Sequence, residues 1–186
     1  MPSPDALPAV AVGYAHPPVA PPHNNPPVID PEQFRRAFRS QASAVAVITA
    51  AGAHGPVGFT ATSLTTLSAQ PPTVCFNIAH GSSSWPAVAA ADHLGVHLLD
   101  ETQEELAATF ARSGTNRFAA PTTWQPGPHA VPLLHGCLLR LVAAKRATHH
   151  AGDHAIITAH ITWADSPGHR QPLIHHDGSF TALHKR

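Results

Sequence analysis

Ala44-Val45-Ala46-Val47-Ile48-Thr49, then Gly52 and Gly55, then Val57-Gly58-Phe59-Thr60-Ala61-Thr62: the reading of this stretch decides the fold. Its first half is short, rich in β-branched residues and bounded by glycine, the pattern of a buried strand; its second half follows as the hairpin mate. Further strands are expected at 73–78 and 94–99 and, in the last third, near 136–149, 154–164, 172–176 and 179–183. Gly152-Asp153 and Asp177-Gly178 supply the turns between them. Helices are few. Asp30 before Pro31 is an N-cap followed by a proline at the first helical position, with Phe34 and Phe38 on one face of the helix they open. A short helix is expected from about Trp85 to Ala91, after a serine-rich turn. Thr102-Gln103-Glu104-Glu105 matches a capping box ahead of a third helix, with Leu106 and Phe110 on its buried side. Residues 113–135 read as loop-rich, with Pro121, Pro126, Pro128 and Pro132 as breakers. Short strands, two or three short helices and no β-α-β alternation point to a mainly β chain, a mostly antiparallel barrel with peripheral helices.

Around that core the composition sets limits. The chain has 186 residues, enough for one domain, and 43% of them are hydrophobic. Lys+Arg 11 balances Asp+Glu 11, so the basic surplus that neutralises phosphates is missing; nucleic acid and acidic membrane surfaces are not expected partners. Residues 1–28 are proline-rich and read as an extended or disordered tail, leaving 29–186 as the folded domain. No signal peptide and no run of the roughly 20 apolar residues that span a bilayer is visible, and a cytoplasmic location is expected. Cys75 and Cys137 sit far apart in apolar runs and read as small buried hydrophobes. The 16 histidines raise the question of metal. His149, His150 and His154, or His175-His176, are the nearest approach to a ligand set, but adjacent residues on a strand point to opposite faces. No metal is expected.

Three features carry chemistry. Hydroxyls concentrate at Thr60, Thr62, Ser63, Thr65, Thr66 and Ser68, around small Ala61 and ahead of Pro71-Pro72. Small residues let backbone approach a planar ring, and hydroxyls bond ring carbonyls or phosphate oxygens; a plain threonine-rich strand has the same composition. His80-Gly81-Ser82-Ser83-Ser84-Trp85-Pro86 offers free backbone N–H groups at a helix start, an anion site by geometry, or simply a capped helix. The run contains no Lys or Arg, so an anion there must rely on hydroxyls and amides. Gly152-Asp153-His154 is a turn with a histidine opening a strand at the sheet rim, where ligands meet solvent; a lone histidine there can equally be incidental.

Taken together, these features resemble the flavin reductase family, the short-chain reductase components of two-component flavin monooxygenases. The resemblance rests on Gly58-Phe59-Thr60-Ala61-Thr62-Ser63, Ser68-x-x-Pro71-Pro72, Ser82-Ser83-Ser84-Trp85-Pro86, Gln103 with Leu106-Ala107-x-x-Phe110-Ala111, Arg117-Phe118, Gly152-Asp153-His154, and Pro172-Leu173 followed by His176-x-Gly178-x-Phe180. It covers about residues 31–184. It implies an FMN-binding split β-barrel, Greek-key-like and antiparallel, usually a homodimer with the flavin near the subunit interface. It implies hydride transfer from NADH or NADPH to FMN or FAD, and delivery of reduced flavin to a partner monooxygenase. By the same resemblance Thr60, Ala61 and Thr62 line the isoalloxazine edge, Ser63 of the same loop also binds the cofactor, and Ser43 and Ala44 face the flavin. Ser68, Ser82, Ser83 and Ser84 handle ribityl or phosphate oxygens, Phe110 and Ala111 approach the ring, and His154 positions nicotinamide. Phe180 stands where many members have Tyr or Trp, and Ala42-Ser43-Ala44-Val45 where many have Thr-Gly-Val. The cofactor supplies the chemistry in such a site, so no acid–base set is needed, nor a Gly-x-Gly-x-x-Gly fingerprint. The alternatives are a split barrel that holds FMN tightly with different or no redox activity, a non-catalytic binding protein, and a histidine-rich metal carrier.

Overall fold

A computed structural model of the chain describes residues 28–167 and 169–183. The expected proline-rich tail, except for Val28, lies outside the described residues. The decisive hairpin forms: β2 (Ala46–Gly52) pairs antiparallel with β3 (Gly55–Ala61), Ile48 opposite Phe59. Residues 46–50 of β2 are all buried, because the strand runs between two cores. Side chains alternate faces along a strand. Ile48 and Ala50 accordingly enter one hydrophobic cluster, while Val47 and the preceding Val45 enter another.

The first cluster is lined by a seven-stranded sheet. Its order is β3-β2-β6-β9-β10-β5-β4, with β4 at Thr65–Ala69, β5 at Pro72–Ala79, β6 at His93–Leu98, β9 at Leu139–Ala151 and β10 at His154–Asp165. Every described pairing is antiparallel. Phe59 of β3 and Phe76 of β5 come from strands far apart in the sheet, yet their ring centroids are 6.2 Å apart in one core. The sheet therefore curls around its own inner face. Its end strands, β3 and β4, are not hydrogen-bonded to each other, so the barrel is split.

The second cluster joins Val45, Val47, Leu99, Phe110, Leu134, Cys137 and Leu173. It lies between β2, helix α3 (Glu104–Ala111) and a three-stranded sheet of β1 (Ser43–Ala44), β11 (Leu173–His176) and β12 (Ser179–Ala182). Cys137 is buried there, and desolvation pushes its thiol up to about 12, which keeps it protonated. His97 of β6 is also fully buried. Its Nδ1–H donates to the Val47 carbonyl (3.0 Å), so Nε2 accepts from the Leu134 N–H (3.1 Å), and both ring nitrogens are satisfied. Helix α1 (Pro31–Phe38) opens at Asp30 as expected, with Oδ1 accepting from the Glu32 N–H at 2.6 Å. It buries no residue; the Phe34 and Phe38 rings meet at a tilt, centroids 4.6 Å apart, and remain 52% and 54% exposed.

The structure adds to or departs from the sequence reading at three points. The hydroxyl run contains a strand, β4, which shows no apolar alternation because all five of its residues are exposed at the sheet edge. Within the stretch read as loop, β7 (Trp124–Pro126) and β8 (Pro132–Leu134) form a ladder ending on Pro126 opposite Pro132, a position where a missing N–H does least harm. The capping box at Thr102 does not form. The Asp100 carboxylate, largely buried, takes both the Thr102 hydroxyl (2.6 Å) and the Thr102 N–H (2.8 Å), and the N-cap of α3 shifts to Gln103. Gln103 then accepts from the Asp100 N–H (3.1 Å) and donates to the His135 carbonyl (3.2 Å).

Candidate functional site

A cleft of about 510 Å³ opens where β3 ends and the chain crosses towards β4. It gathers segments distant in sequence: residues 59–63, Asn77 to Ala79 on β5, Gly81 and Ser82, Phe110 and Ala111 at the end of α3, Ser113, Arg117, and His154 at the start of β10. Of the residues singled out in the sequence, Thr60, Ala61, Thr62, Ser63, Ser82, Phe110, Ala111 and His154 meet here.

Their chemistry differs residue by residue. The Thr60 hydroxyl donates to the Ala107 carbonyl at 2.6 Å, so it ties β3 to α3 and its proton is already committed. Thr62 is exposed. Ser63 Oγ accepts from the Asn77 N–H at 2.9 Å, which leaves its own proton free to donate into the cleft. A Cβ on Gly81 would meet nothing within 4 Å, so its backbone borders open space. Gly58, by contrast, packs tightly: a Cβ there would come within 2.8 Å of both the Ile48 carbonyl and the Phe110 ring. His154 stands at the rim, its Nδ1 donating to Asp153 Oδ1 at 2.7 Å, and that hydrogen bond is the first reason the Asp153 carboxyl is held below the usual range.

The other named residues lie elsewhere. Ser43 and Ala44 form β1, just beyond the end of β2 that pairs with Ala61, and Phe180 packs against His175 in the same small sheet. Ser68 bonds locally to Gln70 on the exposed edge strand. Ser84 is the N-cap of helix α2 (Trp85–Ala90), but its side chain makes no cap bond; it turns inward and donates to the Gly58 carbonyl at 2.9 Å. Ser83 is exposed and does not line the cleft. A larger cavity of about 660 Å³ near Gln103 contains none of the expected residues, and its arginines face carboxylates, Arg140 with Asp165 and Arg170 with Asp100.

Arg117 brings the cation that the serine run lacks. Its Nη1 donates to the Gly58 carbonyl (3.0 Å), Ser84 Oγ (3.2 Å) and Ser83 Oγ (3.3 Å), while Nε donates to the Arg112 carbonyl (3.0 Å) just past the end of α3. Nη2 donates to the same carbonyl. One planar fork thus joins β3, the serine turn and the exit of α3, and nothing in the local sequence around 117 announces the acceptors at 58, 83 and 84. Replacement by alanine is expected to lower stability by about 1–2 kcal/mol in urea unfolding, discounted for partial exposure. Lysine should not restore it, because a single ammonium cannot reproduce the fork.

Comparison with known proteins identifies the family. Residues 38–184 match the family described as flavin reductase like domain. The chain is 38% identical over 151 residues to an NADH:FMN oxidoreductase of Rhodococcus erythropolis, covering 79% of each protein. It is 29% identical over 157 residues to HsaB of Mycobacterium tuberculosis H37Rv, the reductase subunit of a flavin-dependent monooxygenase, covering 83% of each. Among solved structures, a flavin reductase domain protein of Arthrobacter sp. FB24 superposes with a TM-score of 0.79 at 37% identity, over 83% of this chain and 96% of that one. The NADH:FAD oxidoreductase SgcE6 of Streptomyces globisporus, in complex with NAD and FAD fragments, gives 0.78 at 27% identity, over 86% and 98%.

Proposed function

The chain belongs to the flavin reductase family, and from that membership we propose that it is an NAD(P)H:flavin oxidoreductase that works in the cleft at the barrel split. The observation that carries this reading is the convergence of residues 60–63, Ser82, Phe110, Ala111 and His154 on one cleft from four separate segments. The residues present fit a flavin. Ser63 has a free hydroxyl proton, Thr62 and Asn77 are exposed polar groups, Gly81 leaves space beside its backbone, and Arg117 adds positive charge at the serine turn.

A bound FMN or FAD would supply the acceptor for the hydride of NADH or NADPH. The protein's task is positioning and charge placement. Ser63, Thr62 and the Asn77 amide offer hydrogen-bonding groups to the polar edge of the ring. Gly81 and Ser82 let backbone approach closely, and Arg117 favours an anionic tail. His154, held by Asp153, orients the nicotinamide at the rim. HsaB serves a flavin-dependent monooxygenase, and by this likeness the reduced flavin here is passed to such a partner. A homodimer is part of the reading, supported by the exposed Phe34 and Phe38 of α1 and by Leu67 on edge strand β4. Of the expected residues outside the cleft, Ser84 acts structurally through its bond to the Gly58 carbonyl, and Ser43, Ala44, Ser68, Ser83 and Phe180 are assigned to the flavin's surroundings by the family resemblance alone. Among the described residues no helix is long and apolar enough to cross a membrane; a cytoplasmic location is part of the proposal.

The test is anaerobic oxidation of NADH and NADPH against FMN, FAD and riboflavin. Flavin absorbance should bleach stoichiometrically with at least one pair; no nucleotide oxidation with any of them overturns the reading. His154→Ala is expected to raise the KM for the nicotinamide several-fold while leaving the flavin KM within about twofold. Equal changes in both would remove His154 from nicotinamide positioning.

A further inference from the structure

Outside the cleft chemistry, the fold makes a histidine pair that no sequence neighbourhood contains. His80 leaves the end of β5, and His150 lies near the end of β9. β10 pairs with both strands, placing His154 beside Ala79 and Ala155 beside His150, so the two histidines converge across it. His80 Nε2 and His150 Nδ1 are 3.0 Å apart, with ring centroids at 5.1 Å. His150 is exposed and His80 half-buried, so the pair stands at the surface. The Trp85 ring stands edge-on to both imidazoles, at 5.2 and 6.0 Å.

We propose that His80 and His150 form a two-histidine site for a borderline divalent cation such as Zn2+ or Cu2+. Two nitrogens bound tetrahedrally to one zinc at its usual bond length are about 3.3 Å apart, so the pair needs only a slight opening to admit the ion. In the metal-free pair one of the facing nitrogens must carry a proton; the cation takes that proton's place, and water completes the coordination. Among the described residues no group of three or more His, Cys, Asp or Glu is placed to hold a metal, which makes this a two-ligand site of moderate affinity. His149, adjacent in sequence, points to the other face of β9 by strand alternation. The site sits where the Asp153 carbonyl already accepts from the His80 N–H at 2.9 Å. An ion there therefore cross-links the loop carrying Ser82 to the turn carrying His154, the two sides of the cleft. The proposal does not depend on the flavin reading.

Trp85 is a built-in reporter. Untagged protein titrated with Cu2+, the strongest binder of the divalent series, should show saturable quenching of tryptophan emission with one ion per chain. Trp85→Phe should remove most of that amplitude. His150→Ala should weaken the apparent affinity at least tenfold, and His149→Ala should leave it unchanged. In parallel, Zn2+ should raise the Tm of the wild type and not that of His150→Ala, since an ion that binds only the folded chain stabilises it. Absence of saturable quenching, or an equal response in His150→Ala, overturns the proposal.

Discussion

Phe110→Ala is expected to destabilise the protein by about 3–5 kcal/mol, the range for removing a buried aromatic ring from a packed core. For a domain of this size each kcal/mol lowers Tm by about 2–4 °C, so a fall of roughly 6–20 °C should be visible by calorimetry. The reason is local. Phe110 is 0% exposed and packs edge-on against Phe118 at 5.1 Å. Its ring also fills the space beside Gly58, so closely that a methyl on that glycine would overlap it. Backbone on one side and a ring on the other leave little to collapse into the cavity. The same residue lines the cleft, so flavin affinity should fall together with stability. Phe110→Leu keeps most of the volume and should recover more than half of the lost stability. A Tm for Phe110→Ala within a few degrees of wild type would contradict this account of the core.

Acid should weaken the fold through His97. Burial lowers its pKa from 6.5 to about 4, opposed by the hydrogen bond to Val47 and reinforced by the nearby charge of Arg140. Between those values the unfolded chain binds a proton that the folded chain refuses, so stability rises with pH. The contribution is fully present above pH 6.5 and is lost as pH falls through about 4, amounting to about 3 kcal/mol. Urea unfolding at a series of pH values should show that loss in the wild type. His97→Gln keeps a donor and an acceptor but does not titrate, and should show a flatter slope. Equal slopes would remove His97 as the cause.

The hairpin and the antiparallel sheet were legible because Ala44-Val45-Ala46-Val47-Ile48-Thr49 is β-branched and closed by glycine, signals that belong to the segment itself. The opening of α1 was legible for the same reason, since Asp30 acts on Glu32 two residues away. The site was legible in part: Ser63, Ser82 and His154 do share a cleft, though their own chemistry left ordinary structural readings open. What the sequence hid was everything that depends on a distant partner. β4 owes its existence to β5, not to any pattern in Thr65-Thr66-Leu67-Ser68-Ala69. Thr102 looked like a cap until a buried carboxylate two residues earlier claimed its hydroxyl. Arg117 acts on carbonyls at 58 and 112, and Ser84 spends its hydroxyl on Gly58, so a serine run that suggested phosphate contacts is partly structural.

The register of the sheet also sets a timetable for synthesis. The last residue of β5, Ala79, pairs with His154, the first residue of β10. At roughly 5–20 residues per second, several seconds separate the appearance of one from the other on a ribosome. Until β10 emerges, β5 has only the exposed edge strand β4 beside it, and the rim histidine has not been made. A nascent chain therefore has no finished cofactor site to offer. Flavin can secure the fold only at its final docking step, and a shortage of flavin in the cell should act on the completed protein rather than on its early folding.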